Sequence, residues 1–167
     1  SGRTSRLDIR ERVFELRRVN PLPTVPGRMR LAVPADLDLL VGWTLAFNRE
    51  ALGEDTPAAE AADQARKRLP RAYFWEEGQP VSLACVSRET PHGAVVGPVY
   101  TPPELRGRGY ASACVAALSQ LLLDSGRQFC ALFTNLANPT ANHIYQVIGY
   151  QPRADFSAYR FDPELKP

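Results

Sequence analysis

The sequence predicts an α/β or α+β domain built on a central mixed sheet. Strand-like and helix-like runs alternate along the chain, glycine and proline separate them, and a glycine-rich turn joins one strand to one long helix. After an N-terminal arm, the predicted order is strand, helix, helix, three strands, helix, strand, helix, strand. There is no internal repeat and no low-complexity tract, so one domain with an arm accounts for the 167 residues.

The first half of the chain contains the arm, one short strand, two helices and a hairpin. Apolar residues among arginines in RERVFELRRV predict a strand, and PLPTVPG predicts an extended linker. RMRLAVP is typical of a short strand, and Pro34-Ala35-Asp36 then opens a helix. TPAAEAADQARKRL predicts a second helix, with Thr56 as its cap and Pro57 in its first position. RAYFWEEG and PVSLACVSRE predict two strands joined by a tight turn at Gly78-Gln79.

The second half contains the segments that bear on function. HGAVVGPVYTP is a predicted strand, in which Gly97-Pro98 indicates a bulge or a splay. A helix follows and ends near Ser125-Gly126. Its predicted buried stripe comprises Ala111, Cys114, Val115, Leu118, Leu121 and Leu122. QFCALFTN is a predicted buried strand, NPTANHIYQVIGY is a predicted short helix between the N-cap Asn138 and Gly149, and YQPRADFSAYRF is the last strand.

Composition and charge exclude several classes of protein. The net charge of +2 and the pI near 8.5 do not suggest a nucleic-acid binder. No run approaches the ~18 apolar residues of a membrane span, and SGRTSRLDIR lacks a signal-peptide core. The three cysteines lie in apolar stretches and indicate buried thiols in a reducing compartment, and the two histidines lack the spacing of paired zinc ligands. We therefore expect a cytoplasmic protein that has no metal, nucleic-acid or membrane partner.

The turn from Arg106 to Ala111 has two glycines and two arginines at the start of a helix. The first turn of a helix exposes unpaired N–H groups, and the helix dipole contributes ~0.3–1 kcal/mol toward a nearby anion. Glycine lets a ligand approach the backbone where a Cβ would block it. The turn therefore predicts an anion cradle. From the turn alone, a plain strand-to-helix connection with solvated arginines is the alternative.

Two common nucleotide motifs fit this turn poorly. The NTPase phosphate loop requires G-x-x-x-x-G-K-[ST], and the turn contains no lysine. The dinucleotide fingerprint is closer, because Gly107-x-Gly109-x-x-Ser112 follows a strand and opens a helix. It fails at the third glycine, and FCALFTN ends in asparagine where an acidic ribose ligand would stand. A nicotinamide-dependent oxidoreductase is therefore the least favoured alternative.

The turn resembles the pyrophosphate-binding motif of the GNAT superfamily of acyl-CoA N-acyltransferases, Gln/Arg-x-x-Gly-x-Gly/Ala, with Arg106, Gly109 and Ala111 in the matching places. NPTANHIYQVIGY is similar to the asparagine–alanine–tyrosine–glycine helix of the same superfamily. Its matching residues are Asn138, Ala141, Tyr145, Gly149 and Tyr150. The order of elements also agrees, so we expect an acetyltransferase domain over residues 28–167 and a separate arm over residues 1–27.

The resemblance implies a GNAT-like fold, with a splayed mixed sheet flanked by helices and acetyl-CoA as cofactor. Val99 and Tyr100 would offer backbone N–H groups to the pantetheine and the acetyl carbonyl. Tyr145 would act as general acid toward the departing thiolate, unless it only packs. Asn138 would contact the cofactor or only cap its helix. The pyrophosphate contacts would come from Arg106, Gly107, Arg108, Gly109, Tyr110 and Ala111.

The general base and the acceptor pocket stay open at this stage. Candidate bases, each of which could also be a solvated surface charge, are Glu50, Glu54, Glu76, Glu77, His92 and Glu104. Aromatic residues that could form the wall of an acceptor pocket, or could be plain core, are Trp43, Phe47, Tyr73 and Trp75.

Together these patterns predict an acetyl-CoA-dependent N-acetyltransferase that transfers acetyl directly, in a ternary complex, to a small-molecule or peptide amine. A CoA-binding module that has lost turnover is the main alternative. The arm strand RVFELRRV resembles a terminal strand more than an opening one. We therefore expect the arm to belong to an upstream half of a longer protein or to pair with a sheet edge in a homodimer.

Overall fold

The structure is a computed structural model that describes residues 5–161. Seven strands form one mixed sheet in the order β2-β3-β4-β5-β6-β1-β7. The strands are β1 (Ser5–Leu16), β2 (Arg28–Leu31), β3 (Ala72–Glu77), β4 (Gln79–Glu89), β5 (Gly93–Tyr100), β6 (Phe129–Asn135) and β7 (Gln151–Phe161). The helices are α1 (Leu37–Phe47), α2 (Ala58–Arg68), α3 (Tyr110–Asp124) and α4 (Pro139–Ile148). The predicted fold class and the predicted order of elements are confirmed.

Two helices pack on each face of the sheet, and the core forms two clusters. α1 and α2 pack over the β2–β5 side, around buried Leu40, Phe74 and Leu83. α3 and α4 pack on the opposite face, around residues such as Leu118 and Leu132. No helix in the described part of the chain is long and apolar enough to cross a bilayer.

The sheet opens between β5 and β6, which run parallel. They pair only over Gly93–Val95 and Phe129–Ala131, at the start of each strand. Just beyond that point Gly97 has a φ of 143°, a conformation that strongly favours glycine, and Pro98 has no N–H to donate. The two strands therefore separate toward their C-terminal ends, which confirms the predicted splay.

The arm strand β1 lies inside the sheet, between β6 and β7, and pairs antiparallel with both. The alternation of arginine and apolar residues sends Phe14 and Leu16 into the core beneath α4, where both are fully buried. The prediction that the arm belongs to an upstream half or to a dimer contact stays a prediction. Among the described residues, β1 completes the sheet of its own chain.

Three local predictions differ from the structure. Thr56 does not cap α2: its hydroxyl accepts a hydrogen bond from Asn48 at 2.9 Å, and Pro57 is the N-cap. Leu121 is 43% exposed because α3 buries a narrower stripe than the sequence indicates. β6 is buried on one face only, and Phe133 projects from the other face, 48% exposed.

Candidate functional site

The turn before α3 presents backbone N–H groups that have no acceptor. The N–H of Arg106 bonds to the carbonyl of Pro103 at 3.3 Å, and the N–H of Ala113 bonds to the carbonyl of Gly109 at 3.0 Å. Between these two bonds, the N–H groups of residues 107–112 find no acceptor among the described residues. Because they open a 15-residue helix, the helix dipole adds to their attraction for an anion.

Two glycines give this turn its shape. Gly107 has a φ of 78° and Gly109, the N-cap of α3, has a φ of 83°. Any other residue would meet ~1–2 kcal/mol of strain in this left-handed region. A Cβ on Gly109 would also lie 3.2 Å from Cγ2 of Val25, in the linker after β1, whereas a Cβ on Gly107 would meet nothing within 4 Å. The turn is therefore open on its outer side and packed against the linker on its inner side.

The Arg106 side chain is held by protein groups. Its two Nη atoms donate to both carboxylate oxygens of Glu50 at 2.8 and 2.7 Å, and its Nε donates to the carbonyl of Thr101 at 2.9 Å. The hydrogen-bonded guanidinium lowers the pKa of Glu50. Both side chains are 46% exposed, so the pair contributes at most ~1 kcal/mol of stability. Arg106 thus ties the turn to the segment after α1, and its contact with the cofactor stays a prediction.

Tyr110 and Arg108 complete the turn in different ways. The Tyr110 ring is buried, and its hydroxyl donates to the carboxylate of Glu77 at the end of β3, a hydrogen bond that raises the pKa of the tyrosine. Arg108 is exposed beside that hydroxyl. Its guanidinium is therefore accessible to an anion held by the backbone of the turn.

Val99 and Tyr100 lie at the end of β5, on the edge of the splay. Val99 is opposite Ala84 and Tyr100 is opposite Leu83 of β4. In an antiparallel ladder, successive residue pairs alternate between hydrogen-bonded and non-bonded. One of the two N–H groups is therefore directed toward β4 and the other toward the gap. The strand geometry offers the gap one of the two predicted donors.

Tyr145 lies on α4, on the β6 side of the gap. Its ring is 6.4 Å from the ring of Phe14 and 6.2 Å from that of Tyr150, measured between centroids, and Phe14 is opposite Leu132 of β6. Its hydroxyl makes no hydrogen bond to the described residues, and burial raises the pKa of this tyrosine to about 12. The residue therefore packs as a core aromatic and also keeps, at neutral pH, a proton that it can donate.

The model of the FR47-like protein family matches residues 76–160, just over half of the chain. The chain belongs to this family. The match starts at the last two residues of β3 and contains β4, the splayed strands β5 and β6, the glycine turn and α4. It leaves out β1, the linker and the two helices of the first half. No curated protein sequence matches this FR47-like protein.

Several solved structures of GNAT acetyltransferases have the same fold. A GNAT-family acetyltransferase from Colwellia psychrerythraea superposes with a TM-score of 0.72 at 16% identity, over 95% of this chain and 56% of that one. A GCN5-related N-acetyltransferase from Sphaerobacter thermophilus gives 0.71 at 19% identity, over 94% and 53%. The aminoglycoside N-acetyltransferase AAC(6')-Iy in complex with CoA gives 0.60 at 15% identity, over 78% and 92%. The resemblance to the GNAT superfamily is confirmed, and this FR47-like protein spans little more than half the length of the first two structures.

Asn138 caps α4 as predicted. Its side-chain oxygen accepts the N–H of Ala141 at 3.1 Å. The neighbouring Asn142 donates from its side chain to the carbonyls of Asn138 and Asn135, at 2.7 and 3.2 Å, and so joins the helix start to the end of β6. Because capping uses the side-chain oxygen of Asn138, its contact with a cofactor stays a prediction.

Several candidate bases already have partners. Glu50 pairs with Arg106, Glu76 pairs with Arg30, and Glu77 accepts the Tyr110 hydroxyl. His92 precedes β5 at the end opposite the splay, which places it away from the gap. Among the described residues, these carboxylates serve the scaffold of the FR47-like protein before any substrate is considered.

The predicted aromatic wall does not form as one surface. Trp43 packs edge-on against Phe74 and beside Tyr100, with centroids 5.5 and 5.6 Å apart, in the cluster beneath α1. Tyr73 and Trp75 pack against the other cluster, on the α3 face. Neighbouring positions of a strand alternate between faces, so the four aromatics belong to two separate layers.

The cysteines are buried and free, as predicted. Burial raises the pKa of Cys85 and Cys114 to about 12 and that of Cys130 to about 11. Thiols of this kind are poor nucleophiles at neutral pH. Across the part of the chain that the structure describes, no group of three or more His, Cys, Asp or Glu is placed to hold a metal ion.

Two contacts that shape the site have no signal in the sequence. The first contact is that of the linker with α3 and α4. The Asn20 N–H bonds to the carbonyl of Ile148 at the end of α4, and Val25 lies against Gly109 at the start of α3. The Glu50–Arg106 pair joins residues that are far apart in the chain. Only a search for opposite charges at the ends of the predicted helices and strands could have suggested the Glu50–Arg106 pair.

Proposed function

We propose that this protein is an acetyl-CoA-dependent N-acetyltransferase that moves acetyl to an amine by direct transfer in a ternary complex. The observation that carries the proposal is the run of free N–H groups over residues 107–112 at the start of α3, next to the splay between β5 and β6. The structure of AAC(6')-Iy with CoA supports the same cofactor for a protein of this fold.

The turn fits a diphosphate well. Its N–H groups have no protein acceptor, its glycines leave the outer side free of Cβ atoms, and exposed Arg108 adds a positive charge. The backbone of residues 107–112 would hold the pyrophosphate of CoA, and charge-assisted hydrogen bonds would orient it. Arg106 would act from outside, by fixing the turn against Glu50.

Acetyl-CoA supplies a thioester, whose carbonyl carbon is attacked by the amine nitrogen while the C–S bond breaks. The N–H of Val99 or Tyr100 that is directed toward the gap would stabilise the negative charge that develops on the carbonyl oxygen. Tyr145 would donate its hydroxyl proton to the departing sulfur, since its raised pKa keeps it protonated.

The acceptor nitrogen must also lose a proton. Glu50 is the candidate carboxylate that is bound to the same turn, but Arg106 lowers its pKa and makes it a weaker base. Both oxygens of Glu50 also accept from Arg106, so we propose that the proton leaves through water. A cytoplasmic setting, in which the three free thiols stay reduced, completes the proposal.

Ligand-induced stabilisation tests the cofactor first. Acetyl-CoA and CoA should raise the melting temperature, and NADH at the same concentration should not. Stabilisation by NADH alone would contradict the proposal and favour an oxidoreductase.

An amine panel then tests turnover. Release of the CoA thiol should depend on an amine and should fall in Tyr145→Phe, whereas acetyl-CoA binding should be unchanged. A protein that binds acetyl-CoA but releases thiol with no amine, and in which Tyr145→Phe changes no rate, would be a CoA-binding module.

A further inference from the structure

One face of the sheet has apolar side chains that no helix packs over among the described residues. We call it the apolar sheet face and define it by Val13, Val95, Ala131, Phe133 and Phe156. Phe133 and Phe156 are 48% and 40% exposed, and their rings meet edge to face with centroids 5.8 Å apart. Adjoining exposed apolar side chains favour a surface at which another molecule packs.

The apolar sheet face begins where β5 and β6 separate. The last paired residues are Val95 and Ala131, and Phe133 is the next side chain of β6 on that face. A cleft of about 160 Å³ lies there, lined by Ser87, Arg88, Val95 and Phe133. The cleft is open to solvent, and Phe133 is the aromatic residue that it shares with the exposed ring pair.

The cofactor turn and the apolar sheet face lie on opposite faces of the sheet. Tyr145 packs with the cluster on the α3 and α4 face, and the glycine turn opens α3 itself. Phe133 projects to the opposite face, because its neighbours Leu132 and Thr134 are buried beneath α3 and α4. A molecule on the apolar sheet face therefore reaches the gap from the side that the cofactor turn does not occupy.

We infer that the apolar sheet face binds the acceptor, and that the acceptor is a primary amine with an aryl group, which packs on Phe133 and Phe156 while its nitrogen enters the gap. This inference rests on the proposed N-acetyltransferase function. Two rings at right angles provide an edge and a face for a third ring, which favours an aryl group over a small polar one.

Two bisubstrate adducts test the inference without requiring turnover. In each, the sulfur of CoA is joined through an acetamide to an amine, either 2-phenylethylamine or 2-aminoethanol. The unmodified protein should bind the phenylethyl adduct roughly tenfold more tightly than the hydroxyethyl adduct, the size of one aromatic contact plus its burial. In Phe133→Ala, the two adducts should bind with affinities that differ by no more than roughly twofold. Phe133→Leu should retain part of the preference for the phenylethyl adduct.

Leu121→Ala is the matched control, because Leu121 is an exposed apolar residue on α3, away from the apolar sheet face. It should leave the ratio unchanged. Equal binding of the two adducts, or a preference that survives in Phe133→Ala, overturns the inference and leaves the proposed function intact. Failure to bind CoA and both adducts overturns both. Sedimentation gives the remaining outcome: if Phe133→Ala converts a dimer into monomers, the face is an interface between copies and the inference is wrong.

Discussion

Replacement of Gly109 by alanine should separate the effect of the glycine turn on ligand binding from its effect on stability. The substitution places a side chain at φ 83°, which introduces ~1–2 kcal/mol of strain, and brings its Cβ to 3.2 Å from Val25. For a domain of this length, that strain lowers the melting temperature by roughly 2–8 °C. If the turn holds the diphosphate as proposed, the same strain would also rotate neighbouring N–H groups away from it. Loss of one such bond to a charged group weakens binding by ~1.5–3 kcal/mol, or roughly 10- to 100-fold.

Two further alanine variants provide the matched comparison. Gly107 has a φ of 78° and Gly126, at the other end of α3, has a φ of 101°, and a Cβ on either would meet nothing within 4 Å. Gly107→Ala and Gly126→Ala should lose similar stability in thermal denaturation, and Gly109→Ala should lose more because its Cβ also meets Val25. Only Gly107→Ala and Gly109→Ala should lose affinity for CoA in calorimetric titration. If both bind CoA as tightly as Gly126→Ala does, the turn does not hold the diphosphate and the reasoning is refuted.

Three further predictions concern Tyr145, Glu50 and the cysteines. Tyr145→Phe keeps the packing ring, so acetyl-CoA affinity should persist while the rate of the proposed transfer falls ~10²-fold or more. The unmodified protein should show no loss of rate from ionisation of Tyr145 up to pH ~10, since the pKa of this tyrosine is about 12. Glu50→Gln should lower the free energy of unfolding by at most ~1 kcal/mol at pH 7. Because folding depresses the pKa of Glu50, this difference between the two proteins should disappear as the pH falls below ~4. Denaturation measured over a range of pH values checks this. Ellman's reagent at pH 8 should label no cysteine of the folded protein and all three after denaturation, and labelling before unfolding would contradict their burial.

The sequence predicted the elements well where local chemistry decides the conformation. Asn138 with Pro139 fixed the start of α4 through a cap that the structure contains, and Gly97-Pro98 marked the place where the sheet opens. These signals survive folding because they depend on backbone groups only a few residues away. Thr56 is a position where local chemistry does not decide. Its hydroxyl could cap α2 or bond to a residue distant in the chain, and in the structure it accepts a hydrogen bond from the side chain of Asn48.

The side-chain arrangement of the site could not be predicted in the same way. Arg106 matches a motif residue, but its guanidinium binds Glu50, which only the packing of the α1 end against the turn brings near. The four candidate wall aromatics looked equivalent in sequence, yet strand alternation places Tyr73 and Trp75 on one face and α1 carries Trp43 to the other. The apolar run QFCALFTN predicts that Phe133 is buried, but among residues 5–161 no helix packs over it, and only the topology decides this.

The linker after β1, which is part of the predicted arm, contacts the elements that form the site. Asn20 bonds to the last carbonyl groups of α4, the helix of Tyr145, and Val25 lies against Gly109 at the start of α3. Further on, the carbonyl of Pro26 accepts the indole N–H of Trp75 at 2.8 Å. The family match over residues 76–160 contains the glycine turn and the general-acid candidate but neither β1 nor these supports. A segment outside the family match therefore contacts both helices that carry the proposed site, the end of α4 through Asn20 and the start of α3 through Val25.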